Sequence, residues 1–182
     1  MFDKIINFFK KDKGQPKVDH KVKDLEVGYI LEYNLQTWVV EKEYNYNWGE
    51  GYYSKEWLIS TGAEKLLLFY DDSEEEEEIS ISKEVNALQG LNDIREEIIN
   101  RDVPRNSFAF DGKKWLLTSE NPCLFSEKGK SGTTEMVMWI FDDEEKDEFI
   151  SFSRTGEKNI NAYRGSYLKE FEIDNILPSE KK

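Results

Sequence analysis

Two long stretches of this 182-residue chain alternate β-branched and aromatic residues with a period of two, and a single helical stripe separates them. This pattern constrains the fold more than any other feature, because successive side chains of a strand face opposite sides of a pleated sheet. In the first stretch Val27–Tyr33 reads as a strand and Asn34-Leu35-Gln36 as a turn. Thr37–Tyr46, Tyr52–Ser60, Lys65–Tyr70 and Glu78–Lys83 read as further strands. Val85–Arg101 breaks the alternation. Leu88, Leu91, Ile94, Ile98 and Ile99 recur there at helical spacing, Asn86 or Asn92 is placed to cap, and Pro104 lies beyond the end. The β pattern then resumes. Phe108–Phe110 and Lys114–Thr118 flank Asp111-Gly112, a dipeptide suited to a tight turn with positive φ at both central residues. Glu135–Phe141 and Glu148–Arg154 form a pair around an acidic turn, and Asn159–Tyr163 and Tyr167–Ile173 follow on either side of Gly165.

The two stretches share an outline. A turn precedes Trp38 in one and Trp115 in the other, and Glu56-Trp57-Leu58 is echoed by Met138-Trp139-Ile140. Either they are related halves, 24–84 and 105–178 joined by helix 85–101, or short strands resemble one another by chance. Residues 1–23 form a separate unit, an amphipathic helix over Met1–Lys11 and a Lys-rich linker, so the body begins near Asp24. The fold expected is mainly β with minor α. Meander sheets make a barrel-like or sandwich body with one bridging helix and a short N-terminal helix.

Charge narrows the function. The net charge is −13, with residues 1–23 at +4 and the remainder at −17. Such a body repels phosphate backbones, so no nucleic-acid partner is expected. One cysteine, Cys123, permits no internal disulfide, and no stretch reads as a signal peptide or a membrane span, which points to the cytoplasm. Cys123 follows Pro122 and reads as an inert thiol in a loop or hairpin. His20 is the only histidine and sits in the linker, so nucleophilic catalysis lacks a base and a zinc site lacks ligands. No glycine motif cradles a phosphate, and no cofactor is expected. The acidic runs 71–78 and 142–148 lack the spacing of a calcium loop and read as solvated turns.

Two features remain as candidates for contact with a partner. Tyr44, Tyr46 and Trp48 alternate along one strand face, and after Gly49-Glu50-Gly51 the chain returns through Tyr52 and Tyr53. Such a cluster is either an interaction surface or an aromatic ladder that stabilises the sheet. Phe2, Ile5, Ile6 and Phe9 would line one face of the N-terminal helix, which then rests on a membrane, on a partner or on the body itself. The leading expectation is a non-enzymatic protein-binding or accessory module. A peripheral membrane-stress accessory tethered by its first helix, and an enzyme working through carboxylates alone, are the alternatives.

Leu25-Glu26-Val27-Gly28, Tyr33–Val40 with Trp38, and Glu56-Trp57-Leu58 resemble the opening of the bacterial domain of unknown function family 4178. Phe110-Asp111-Gly112-Lys113-Lys114-Trp115, with Glu120 after it, resembles that family's second hairpin, and Gly165 its late glycine. The resemblance covers Asp24 to Pro178. It implies a bacterial protein, in a family sometimes encoded near membrane-stress scaffolds or polyamine-synthesis enzymes, and it supplies no catalytic residue.

Overall fold

The computed structural model describes residues 20–73 and 76–178. The helix expected over Met1–Lys11, with Phe2, Ile5, Ile6 and Phe9, lies outside these residues. The packed body starts before Asp24, because Val22, which opens a short 3-10 turn, Val22–Asp24, and Leu25, which follows it, are both buried. Val22 is an isolated apolar residue in a lysine-rich run, so periodicity gives no sign of it.

The strands are β1 (Ile30–Tyr33), β2 (Gln36–Gly49), β3 (Tyr52–Ser60), β4 (Lys65–Asp71) and β5 (Glu78–Val85), then β6 (Ser107–Phe110), β7 (Lys113–Glu127), β8 (Thr134–Asp143), β9 (Glu148–Thr155), β10 (Asn159–Leu168) and β11 (Ile173–Leu177). A helix, α1 (Asn92–Arg101), joins the two runs. All pairings are antiparallel, in the order β11-β1-β2-β3-β4-β5-β10-β9-β8-β7-β6, and β2 also pairs with β7. That last pairing closes β2–β5 and β7–β10 into an eight-stranded barrel, with β1, β11 and β6 as extensions. Closure removes the edges that an open meander would expose.

Register and burial separate two faces of the wall. On one face of the first meander, Trp38, Trp57, Ile59, Leu68 and Ile81 pack with Val22, Leu25 and the β11 residues Ile173 and Ile176. On the matching face of the second, Trp115, Trp139, Phe141, Ile150 and Phe152 pack with Leu91, Ile94 and Ile98. The opposite face of both meanders looks into the ring. Tyr46 of β2 there meets the rings of Phe69 of β4 and Phe125 of β7. Buried Ser80, Ser82, Ser151 and Ser153 also alternate with the outward apolar residues.

The meanders obey the same local rules. Trp38 Nε1 donates to the Tyr33 carbonyl at 3.1 Å, and Trp115 Nε1 to the Phe110 carbonyl at 3.0 Å. The register slips after Val40 and again after Leu117, each two positions beyond its tryptophan. Trp57 and Trp139 are both fully buried, with an indole N–H that meets no acceptor among the described residues. Ile81 lies opposite Leu68 and Ala162 opposite Phe152. On that correspondence Ser82 matches Tyr163 and Glu84 matches Gly165. The β5–β10 seam pairs Ser82 with Gly165 and Glu84 with Tyr163. The seam is therefore its own complement under this correspondence, as a contact about a twofold axis is.

Three elements depart from the sequence reading. The helix begins at Asn92 rather than Val85, because Gly90 at φ +88° turns the chain and leaves Leu88 65% exposed. Gly165 makes no turn, since β10 runs straight through it. β7 continues to Glu127, well past the strand read at Lys114–Thr118, so of the loop or hairpin expected around Cys123 it takes the hairpin, buried in a strand opposite Met136. Pro122 is accommodated because it lies between the two stretches where β7 pairs on both sides, Trp115–Leu116 and Leu124–Phe125.

Candidate functional site

The aromatic cluster is built by the long strand β2 and its hairpin to β3. Gly49, Glu50 and Gly51 all hold positive φ, and the Asn47 side chain accepts a hydrogen bond from the Gly49 N–H at 2.9 Å. This turn returns β3 so that Tyr46 lies opposite Ser54 and Tyr44 opposite Glu56. Tyr44 and Tyr46 both contact the Phe125 ring, and Tyr46 stacks on Trp48 at 5.4 Å with the rings 8° from parallel. Trp48 Nε1 donates to Ser54 Oγ at 2.8 Å. The five aromatic residues thus divide. Tyr46 is buried inside the ring, Tyr44 and Trp48 are half-buried at its rim, and Tyr52 and Tyr53 are 50% and 61% exposed.

Below Trp48 lies a buried acid that sequence reasoning passed over. The Tyr46 hydroxyl donates to Glu56 Oε2 at 2.7 Å. Burial pushes the Glu56 carboxyl up to about 7, against the opposing pull of that hydrogen bond. Burial, reinforced by Glu56, holds the Tyr46 phenol well above its ordinary range. Tyr163 of β10, three strands further round, is pushed up to about 12, first by burial and then by the charge of Glu56. Register agrees: Glu56 lies opposite Tyr44 on the face of Tyr46, and Tyr163 takes the parity opposite to outward Ala162, so both groups are on the inner face. Glu56 pointed nowhere in particular in the sequence, because on β3 both parities carry apolar residues.

Trp48 also forms part of a cleft of about 650 Å³ where β2, β7, β8 and β9 meet. Pro122, Cys123, Leu124, Met136 and Val137 supply its apolar lining, and Asn47, Glu135 and Arg154 its polar groups. Burial raises the Cys123 thiol to about 11, so it lines the cleft as a small apolar group rather than a nucleophile. Arg154 faces the cleft with its charge committed. It donates to Asp102 Oδ1 at 2.7 Å and to the Ile98 carbonyl at the end of α1, and lies over the Trp139 ring. Beside the cleft, Asn47 pairs with Tyr53 on one side and Leu124 on the other. Tyr53 and Leu124 are both exposed, so two large side chains flank polar Asn47 across three strands at the cleft's edge. A second cleft, about 490 Å³, lies between α1 and the β5–β10 seam, bordered by Glu84, Leu88, Arg95 and Asn161.

The acidic run 142–148 is only partly a hairpin tip. Asp142 and Asp143 are buried in β8, where Asp142 accepts from the Tyr167 hydroxyl at 2.7 Å and Asp143 from Lys113 Nζ at 2.8 Å. Among the described residues no group of three or more His, Cys, Asp or Glu side chains is arranged to hold a metal ion.

The family profile described as Domain of unknown function (DUF4178) matches residues 26–170. The chain belongs to this family. The matched segment holds the whole closed ring and ends before β11. The tryptophans and the glycine within the matched segment fall on the wall: Trp38, Trp57 and Trp115 are buried, and Gly165 lies in the β5–β10 seam. The chain is also similar to an uncharacterised protein of Aquifex aeolicus (strain VF5), 26% identical over 179 residues covering 97% of each chain. No solved structure matches it significantly.

Proposed function

We propose that this protein is a binding module that engages a protein partner at the aromatic mouth of its barrel. Tyr52 and Tyr53 make the outer contact, and the cleft beside Trp48 accepts an apolar side chain of the partner. The observation that carries this reading is the pair of exposed side chains, Tyr53 and Leu124, flanking half-buried Asn47 against a cleft lined by Trp48, Cys123 and Met136. An aromatic rim around a pocket is where binding energy concentrates in protein interfaces, because tyrosine and tryptophan bury much area with few rotatable bonds. Glu56, the one carboxyl among the described residues that is raised towards neutrality, lines neither of these clefts. No helix among the described residues is long and apolar enough to cross a membrane.

The test uses a photoreactive phenylalanine analogue at position 53 and, as a control, at Phe171, which is 77% exposed in a short 3-10 turn remote in sequence from the hairpin. Irradiation in bacterial cells should give a discrete adduct from position 53, absent from position 171 and abolished by Trp48→Ala. Equal labelling from both positions, or an adduct indifferent to Trp48→Ala, would overturn the reading.

A further inference from the structure

β6 is the outermost strand on its side of the sheet and pairs only with β7. Its counterpart in the first meander is β1, since Leu31 lies opposite Trp38 as Phe108 lies opposite Trp115. The free edge of β1 is covered by β11, which pairs Ile30 with Leu177 and Glu32 with Asp174. The matching edge of β6 runs through Ser107 and Ala109. In a hairpin closed by a two-residue turn, Phe110–Lys113 and Phe108–Trp115 are the hydrogen-bonded pairs, so the N–H and C=O groups of Ser107 and Ala109 point away from β7. Both residues are exposed. Open edges are ordinarily blunted by charge or proline. β11 carries Asp174 and is followed by Pro178, whereas β6 reads Ser-Phe-Ala-Phe.

We propose that two copies of this chain pair antiparallel through their β6 strands, about a twofold axis at Phe108. This register sets Ser107 opposite Ala109 of the second copy, which joins the outward-pointing groups of both. It also sets Arg105 opposite Asp111 of the second copy, so the segment is its own charge complement. Each of these residues has one internal partner and capacity to spare. Arg105 binds Glu97 through Nε and Nη2, leaving Nη1, and Asp111 accepts from Arg164 on Oδ2, leaving Oδ1. A peptide of unrelated sequence would pair with the backbone but would have to supply both charges at this spacing. The second copy supplies them by symmetry.

The test is sedimentation velocity of the full chain at rising concentration. The wild type should show a monomer–dimer equilibrium. Ser107→Lys with Ala109→Lys sets like charges opposite one another and should weaken dimerisation at least tenfold. Ser107→Glu with Ala109→Glu should do the same, and an equimolar mixture of the two variants should restore the dimer. Ala109→Pro, which removes one outward N–H and is tolerated at an edge, should match the lysine variant. A wild type that stays monomeric throughout, charged variants that dimerise as the wild type does, or a mixture that stays monomeric would each overturn the proposal.

Discussion

Glu56 shows what a single carboxyl does inside a barrel wall. Its one hydrogen bond to the described residues comes from Tyr46, and none of the ion pairs in the structure includes it. Ionising it there removes a charge from water without bringing a cation near. The sign of the resulting pH dependence follows. The folded-state value, about 7, lies above the ordinary 4.5, so the folded protein holds this proton more tightly than the unfolded chain. The contribution is fully favourable below the unfolded value and is lost as pH rises through about 7, amounting to on the order of 3 kcal/mol once both states are ionised. Glu56→Gln keeps an acceptor for the Tyr46 hydroxyl and removes the titration. Denaturant unfolding at pH values from about 5 to about 9 should show the variant gaining on the wild type as pH rises. Parallel curves would mean that Glu56 ionises in the fold without penalty.

At the scale of elements, the β5–β10 seam depends on a missing side chain. A Cβ on Gly165 would clash with the Ile81 carbonyl oxygen and with the Phe149 ring. Phe149, opposite Gly165 in register, leans over the space that the glycine leaves. Backbone cannot yield as a flexible side chain can, so Gly165→Ala should destabilise by roughly 3 kcal/mol or more. The thermal midpoint should then fall by about 6–12 °C. A midpoint within a degree or two of wild type would show that the seam opens easily. This residue also marks how far the sequence could be read. The strands and the helix were legible wherever apolar residues kept their period, as at Tyr44, Tyr46 and Trp48 or Ile94 and Ile98. A glycine in a β run signals a turn or a close approach equally well, and only the register of β9 and β5 around it decides. Tyr46 and Tyr53 posed the same difficulty. Alternation put Tyr44, Tyr46 and Trp48 on one face, but which face turns inward depends on β7 closing against β2, a contact between residues some 80 positions apart.

The whole molecule is two meanders that cannot be separated on equal terms. The core of the second is completed within one continuous run, by α1 and β6–β10. The core of the first needs Ile173 and Ile176, which arrive from the far end of the chain on β11. The inner face needs both halves, because β2 closes on β7 and β5 on β10. A fragment of residues 1–84 would therefore lose a wall of its apolar core together with both seams. A fragment of residues 85–182 would lose the seams and the covering that β1 gives β11, but would keep its own tryptophans Trp115 and Trp139 packed. The expected result is an asymmetry. The first fragment alone gives no cooperative thermal transition, the second gives a weak one at reduced midpoint, and mixing them restores the transition of the intact protein. Near-ultraviolet circular dichroism, dominated here by buried Trp38, Trp57, Trp115 and Trp139, follows all three states. Cooperative unfolding of the first fragment by itself would mean that its core closes without β11. The strand would then be an accessory to the barrel rather than part of what makes it fold.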